Sequence, residues 1–232
     1  MARIAAALSV LAVAAGTTTT ASAAQSPQEL RTAIFKAARA QRSVHYVNVG
    51  VGPRAVSLRM SCDVSGSRGI QRIAFTKRVR TGPVTVLVVR RTAYVRGDAF
   101  TLRGYMEFTP AQASRFAGRW ISIPHSASGY ATVAAGVTLR SLLSLIYPKG
   151  TAVRVLGKRW GQKVVGLRTR SAGGRYTETL WASARGRPFP VEDDSVAPSK
   201  GYRQRVTLSR WNEPVHVPAP AHAVPIATVL AH

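Results

Sequence analysis

The 232-residue chain is poor in three things, and each scarcity excludes a class of function. It has a single cysteine, Cys62, so no intramolecular disulfide can form. Cys62 lies in Val56–Val64, where Val56, Leu58, Met60, Cys62 and Val64 alternate with polar residues. This places the thiol on the apolar side of a strand as a small hydrophobe, whereas a nucleophilic cysteine needs an exposed, electropositive setting. Acids are also scarce, at nine against 33 lysines and arginines. Only Asp98, Glu107 and Glu192-Asp193-Asp194 come into question for the converging carboxylates of a glycosidase. Asp98 reads as a turn residue and the acidic trio as a solvated strand end. No Gly-x-Ser-x-Gly elbow occurs, and His45, His125, His216, His222 and His232 lack metal-ligand spacing. The sequence therefore predicts no enzyme, no cofactor and no metal; a hydrolase would need a cleft bringing His45 or His125 to an acid.

Long apolar runs are missing too. The one run, Ile4 to Ala15, follows Arg3, precedes Ala21-Ser22-Ala23-Ala24, and is shorter than the ~20 residues that span a bilayer. That layout predicts a secretory signal peptide over 1–24, cleaved after Ala23 or Ala24, and an exported protein of the cell envelope. The remainder is expected to form one domain over 25–220. From Glu213 onward Pro214, Pro218, Pro220 and Pro225 give no periodic apolar face, and a flexible tail is expected over 221–232.

What the chain has in excess is positive charge. Removing Arg3 with the signal takes the formal charge from +24 to +23. Such a field concentrates polyanions, so an anionic membrane surface or an acidic wall polymer is an expected partner. The densest cluster is Lys77, Arg78 and Arg80 at an expected hairpin tip. No aromatic stacking run accompanies the arginines, so specific nucleic-acid binding is not expected.

Periodicity predicts a helix opened by the capping box Ser26-Pro27-Gln28-Glu29 and ending near Arg42. Strands follow at 44–51, 56–64, 69–77, 83–90 and 92–96, joined as antiparallel hairpins, with Val84–Val89 the most apolar. Further helices are expected from Thr109-Pro110-Ala111-Gln112 to Gly118, near 130–135, and over 138–146. In the last, Leu139, Leu142, Leu143 and Ile146 share one face. Strands resume at 152–156, 163–170, 175–183, 189–194 and 202–211. The fold class is α+β, antiparallel.

The most informative block runs from Tyr94 to Pro148. Its strand and turn, short tryptophan-bearing strand and leucine-rich helix suggest a sheet that needs something apolar against it. Tyr94-Val95-Arg96-Gly97-Asp98, Gly118-Arg119-Trp120-Ile121-Ser122-Ile123-Pro124, the helix after Thr138, Val164-Val165-Gly166-Leu167, Thr179-Leu180-Trp181 and Leu208–Val215 occur in an order that resembles the LppX/LprG type of actinobacterial lipoprotein, a group similar in fold to LolA and LolB. The resemblance implies a strongly curved antiparallel half-barrel with helices on its concave face and an apolar cavity between them. It also implies lipid or lipoglycan binding or transfer without covalent chemistry, and a possible membrane transporter partner. Carried over by position, the cavity residues are Val86, Val88, Tyr94, Trp120, Leu139, Leu142, Leu143, Ile146 and Trp181. The chain departs from the pattern in having no cysteine to lipidate between Ala21 and Gln25, so charge is the expected tether. The alternative is an envelope scaffold or sensor module of the same fold, with a collapsed interior that binds a protein partner.

Overall fold

The computed structural model describes residues 25–171 and 174–231; the expected signal peptide lies outside the described residues. Helix α1 (Pro27–Arg39) starts where the sequence places it. The Ser26 backbone N–H donates to Glu29 at 2.8 Å, and the Glu29 N–H donates to Ser26 Oγ. Strands β1 (Ser43–Gly52), β2 (Val56–Ser65), β3 (Arg68–Lys77), β4 (Arg80–Val89) and β5 (Thr92–Gly97) then run as antiparallel neighbours. Three short helices surround β6 (Ile121–Pro124): α2 (Ala99–Tyr105) and α3 (Pro110–Phe116) before it, and α4 (Tyr130–Val133) after it. Helix α5 (Leu139–Leu145) precedes β7 (Ala152–Arg159), β8 (Gln162–Arg170), β9 (Thr177–Ser183), β10 (Pro190–Ala197) and β11 (Tyr202–Ser209). The chain closes with β12 (Val224–Pro225) and α6 (Ile226–Leu230).

The strands form one curved sheet in the order β12-β6-β5-β4-β3-β2-β1-β11-β10-β9-β8-β7. Every neighbouring pair is antiparallel except β12 with β6. The edge strands β7 and β12 do not meet, so the sheet is an open half-barrel, as the fold class predicts. Tyr46 pairs with Cys62 and Leu208, and Cys62 with Gln71, so one parity of residues lines the concave face across the whole sheet. Two apolar clusters cover that face. One packs Leu30, Ile34 and Phe35 of α1 and the α5 leucines on Val44, Cys62, Leu167 and Leu208; the other packs α2, α3 and Val137 on Val84, Val86, Val95 and Ile121. Gly69 permits the close approach of the 134–138 segment, because a Cβ there would lie 2.0 Å from the Val137 carbonyl oxygen. Cys62 is fully buried, and burial pushes its thiol up to about 12.

Two expectations are corrected here. Asp98 does not close a turn: it caps α2, accepting from the Thr101 N–H at 2.7 Å and the Thr101 hydroxyl at 2.8 Å. Nor is the tail loose throughout. Val217 is buried, Val224 donates its N–H to the Trp120 carbonyl at 2.8 Å, and Val229 is completely buried against α3 and β6. The prolines end regular structure without preventing docking, because an extended segment can still add to the β6 edge.

Candidate functional site: a cavity under the concave face

The helices do not fill the concave face. Between them lies a cavity of about 340 Å³, at the lower end of the range for small-molecule sites. Its apolar side comes from Leu142, Leu145 and Ile146 of α5, with Leu58, Met60 and Val206 from the sheet. Leu145 is 58% exposed, so the apolar lining reaches solvent.

The other side of the cavity is polar. Gln71 donates to the Tyr46 hydroxyl at 2.6 Å, which donates to the Gly136 carbonyl at 3.0 Å, tying sheet to helix layer. Tyr176 donates to Ser195 Oγ at 3.0 Å, and Ser195 Oγ donates to Asp193 Oδ2 at 3.5 Å. Tyr202 hydrogen-bonds Gln204. Glu178 is directly opposite Ser195 in the β9–β10 ladder and opens on the same space. Asp193 is 5% exposed and Glu178 8%. Burial, then the neighbouring Glu178 and Asp194 charges, pushes Asp193 up to about 8; burial likewise raises Glu178, with Lys149 opposing. Asp193 is thus largely a neutral acid at pH 7.

The acidic trio is therefore not a solvated strand end. Strand β10 continues to Ala197 between β9 and β11, so the trio sits mid-strand and its residues alternate between faces. Asp193 enters the cavity. Glu192 takes the convex face, where Arg159 Nε lies 2.7 Å away and Arg205 3.8 Å.

Of the residues expected to line a cavity, Leu142 and Ile146 do so. Leu139 and Leu143 are buried under α1 and border a separate surface groove with Arg39, Arg140 and Lys149. Val86 and Val88 face the concave side but are sealed in the second core cluster. Tyr94, Trp120 and Trp181 depart from the expectation. Tyr94 and Trp120 have the opposite parity to Val95 and Ile121, and Trp120 borders a convex groove beside Leu87 and Pro214–Pro220. Trp181 lies under the Arg159 guanidinium at 4.1 Å, on the convex face shared with Glu192. Its ring occupies the space left by Gly157 and Gly166, where a Cβ would meet it at 2.9 and 2.7 Å.

Glu178 escaped the sequence reading. Its signal was parity, because Glu178 shares the face of Leu180 and Ala182 in a strand of otherwise apolar inward residues.

His45 does meet an acid, with Nδ1 2.7 Å from Asp63 Oδ1. This pair is on the convex face, and Asp63 also faces Arg210 at 3.3 Å and Arg72 at 3.7 Å. Among the described residues the His45 ring hydrogen-bonds Asp63, and no serine or cysteine side chain is bonded to that ring there. His125 meets Arg91 at 3.1 Å and the Tyr130 ring. The basic cluster forms the β3–β4 hairpin tip: Arg78 adopts φ 57°, Val79 is fully exposed, and Arg80 stacks over Phe100 at 4.6 Å. The tip projects from the cavity's end of the sheet, since Leu58 of the cavity wall pairs with Phe75, two residues before Lys77.

No family model matches the chain, and no curated protein matches it. Among solved structures, lipoprotein LppX of Mycobacterium tuberculosis is similar, with a TM-score of 0.48 and 18% identity over 83% of this chain and 100% of LppX. An uncharacterized conserved protein from Thermus thermophilus gives a TM-score of 0.45 and 10% identity over 87% of this chain and 98% of its own. A LolA superfamily protein from Nitrosomonas europaea gives 0.28 and 12%, covering 84% and 96%. With TM-scores under 0.5 and identities at or below 18%, these likenesses assign neither a family nor a ligand to this chain. Among the described residues, no helix is long and apolar enough to cross a membrane.

Proposed function

We propose that this is an exported cell-envelope protein that binds or transfers a lipid or lipoglycan, without catalysis, by taking an apolar chain into the concave-face cavity. The observation that carries this reading is the cavity itself: a partly open space whose α5 wall is apolar and extends to the surface at Leu145. The ligand-contacting residues of this reading are Leu58, Met60, Leu142, Leu145, Ile146 and Val206. Lys77, Arg78 and Arg80, around the exposed Val79, dock the same end of the molecule on an anionic surface, in place of a lipid anchor.

Native mass spectrometry of protein purified from its own envelope, followed by lipid extraction, tests the reading. A stoichiometric bound amphiphile is expected. Protein that is ligand-free in repeated preparations defeats the carrier reading and leaves the scaffold or sensor module as the account of the fold.

A further inference from the structure

The chain holds 33 lysines and arginines, yet among the described residues none lines the concave cavity. The titratable side chains there are Glu178, Asp193 and tyrosines. This reverses the sign of the whole molecule within one partly enclosed space, where reduced dielectric makes local charge count more than on the surface.

The hydrogen bonding of the cavity is also incomplete, chiefly at acceptor oxygens. Asp193 Oδ1 and Asn48 Oδ1 are buried and have no hydrogen-bond partner, and both residues border the cavity. Both atoms are acceptors when Asp193 is ionised. The Asn48 amide nitrogen has only the Met60 sulfur, at 3.9 Å. A buried acceptor without a donor is costly, and native interiors rarely keep one unless water or a ligand completes it. What this space lacks is a group that donates several hydrogen bonds; a phosphate or carboxylate would add acceptors and negative charge where neither is satisfied.

We infer that the cavity takes an amphiphile headed by an ammonium group, held between Glu178, Asp193 and Asn48, with its apolar chain along Leu142, Leu145 and Ile146. The inference rests on the reading of this cavity as an amphiphile site and names the headgroup that the site selects. An ammonium has three donors and no acceptor, so it matches the unpaired oxygens, and its charge favours the ionised form of Asp193 that burial and Glu178 disfavour. The groups facing Asp193 are Glu178 from β9, Ser195 and Tyr176 through their hydrogen-bond chain, and Tyr202 of β11; Asp194 and Glu192 act from the convex side, and Lys149 acts on Glu178. None of these places a cation inside the cavity to compete with the ligand.

Isothermal titration of the purified protein with decylamine, decanol and decanoate at about 0.15 M salt tests this, because the three share one chain and differ in head. The expected result is decylamine binding at least about tenfold tighter than decanol, with decanoate weakest. In Glu178→Gln/Asp193→Asn the amine should lose that advantage while decanol binding is unchanged. The single variant Glu178→Gln, expected to lose part of the advantage, serves if the double variant fails to fold. Decanoate binding as tightly as decylamine, with decanol also bound, overturns the headgroup inference and leaves the chain-binding reading standing. No binding of any of the three overturns both. The positive field of the molecule favours decanoate everywhere else, so an amine preference has no source outside this cavity.

Discussion

At the scale of the residue, Asp193 shows how much one inward side chain departs from what its neighbours in sequence suggest. Glu192, Asp193 and Asp194 look alike in the sequence, but only Asp193 has the parity that faces the cavity, and which parity faces inward depends on register across β9 and β11. Its proton has a thermodynamic consequence. The unfolded chain releases it near the ordinary 3.8 and the folded chain near 8, so between these values the folded state holds more protons. Stability therefore falls as pH rises from about 4 to about 8, a trend Glu178 shares in direction. Asp193→Asn removes this dependence: its Tm relative to wild type is expected to be higher at pH 9 than at pH 5 by about 5 °C or more. Equal melting curves at both pH values would show Asp193 to be ionised in the fold. Trp181 gives a second test at this scale. Its ring fills the place of a side chain at Gly166, so Gly166→Val is expected to cost about 1–3 kcal/mol in denaturant unfolding. A loss under about 0.5 kcal/mol would mean that the ring moves aside freely.

At the scale of the element, most of the sheet was legible. Strands β1 to β5 and β8 to β11 begin and end within three residues of the expected bounds, and Ser26, Thr109 and Thr138 each cap the helix that follows them. Helix α2 was not legible, because seven residues after a Gly-Asp pair carry too little periodicity to separate a cap from a turn. The C-terminal β12–α6 unit was missed for another reason: its stability comes from partners about 100 residues earlier, such as Trp120, and no local pattern reports them. Deleting residues 221–232 is expected to lower stability by about 2 kcal/mol or more, since it exposes the site of the buried Val229 and frees the β6 edge. An unchanged thermal melt would return this segment to the status of a loose tail. The β3–β4 tip makes an opposite prediction, affecting binding and not stability. Replacing Lys77, Arg78 and Arg80 together with glutamine should weaken sedimentation with anionic vesicles by about a hundredfold, at about 1 kcal/mol per charge, with neutral vesicles unaffected. Equal binding of the wild type to neutral and anionic vesicles would remove charge as the tether.

At the scale of the whole molecule, an open half-barrel with a helix layer on one face leaves two unlike surfaces. The convex face carries the His45–Asp63 pair and the Trp181–Arg159–Glu192 stack, where arginines face acids. The concave face carries the two cores and, between them, a space whose buried acceptors are left incomplete. The sequence alone pointed to an apolar helix over a sheet, and Leu142 and Ile146 are where that helix meets the cavity. It could not show that Tyr94, Trp120 and Trp181 turn outward, because aromatic residues beside a strand end satisfy either face until pairing is known. The central claim is that the space beneath α5 receives an apolar chain. Gln204 borders it and is hydrogen-bonded only to Tyr202 among the described residues, so Gln204→Trp fills the space from the sheet side. Calorimetric titration of wild type and Gln204→Trp with decanol, alongside their melting curves, tests the claim most directly. Saturable binding by the wild type, weakened at least about tenfold in a variant melting within about 3 °C of it, is the predicted result; equal binding by both would contradict the account.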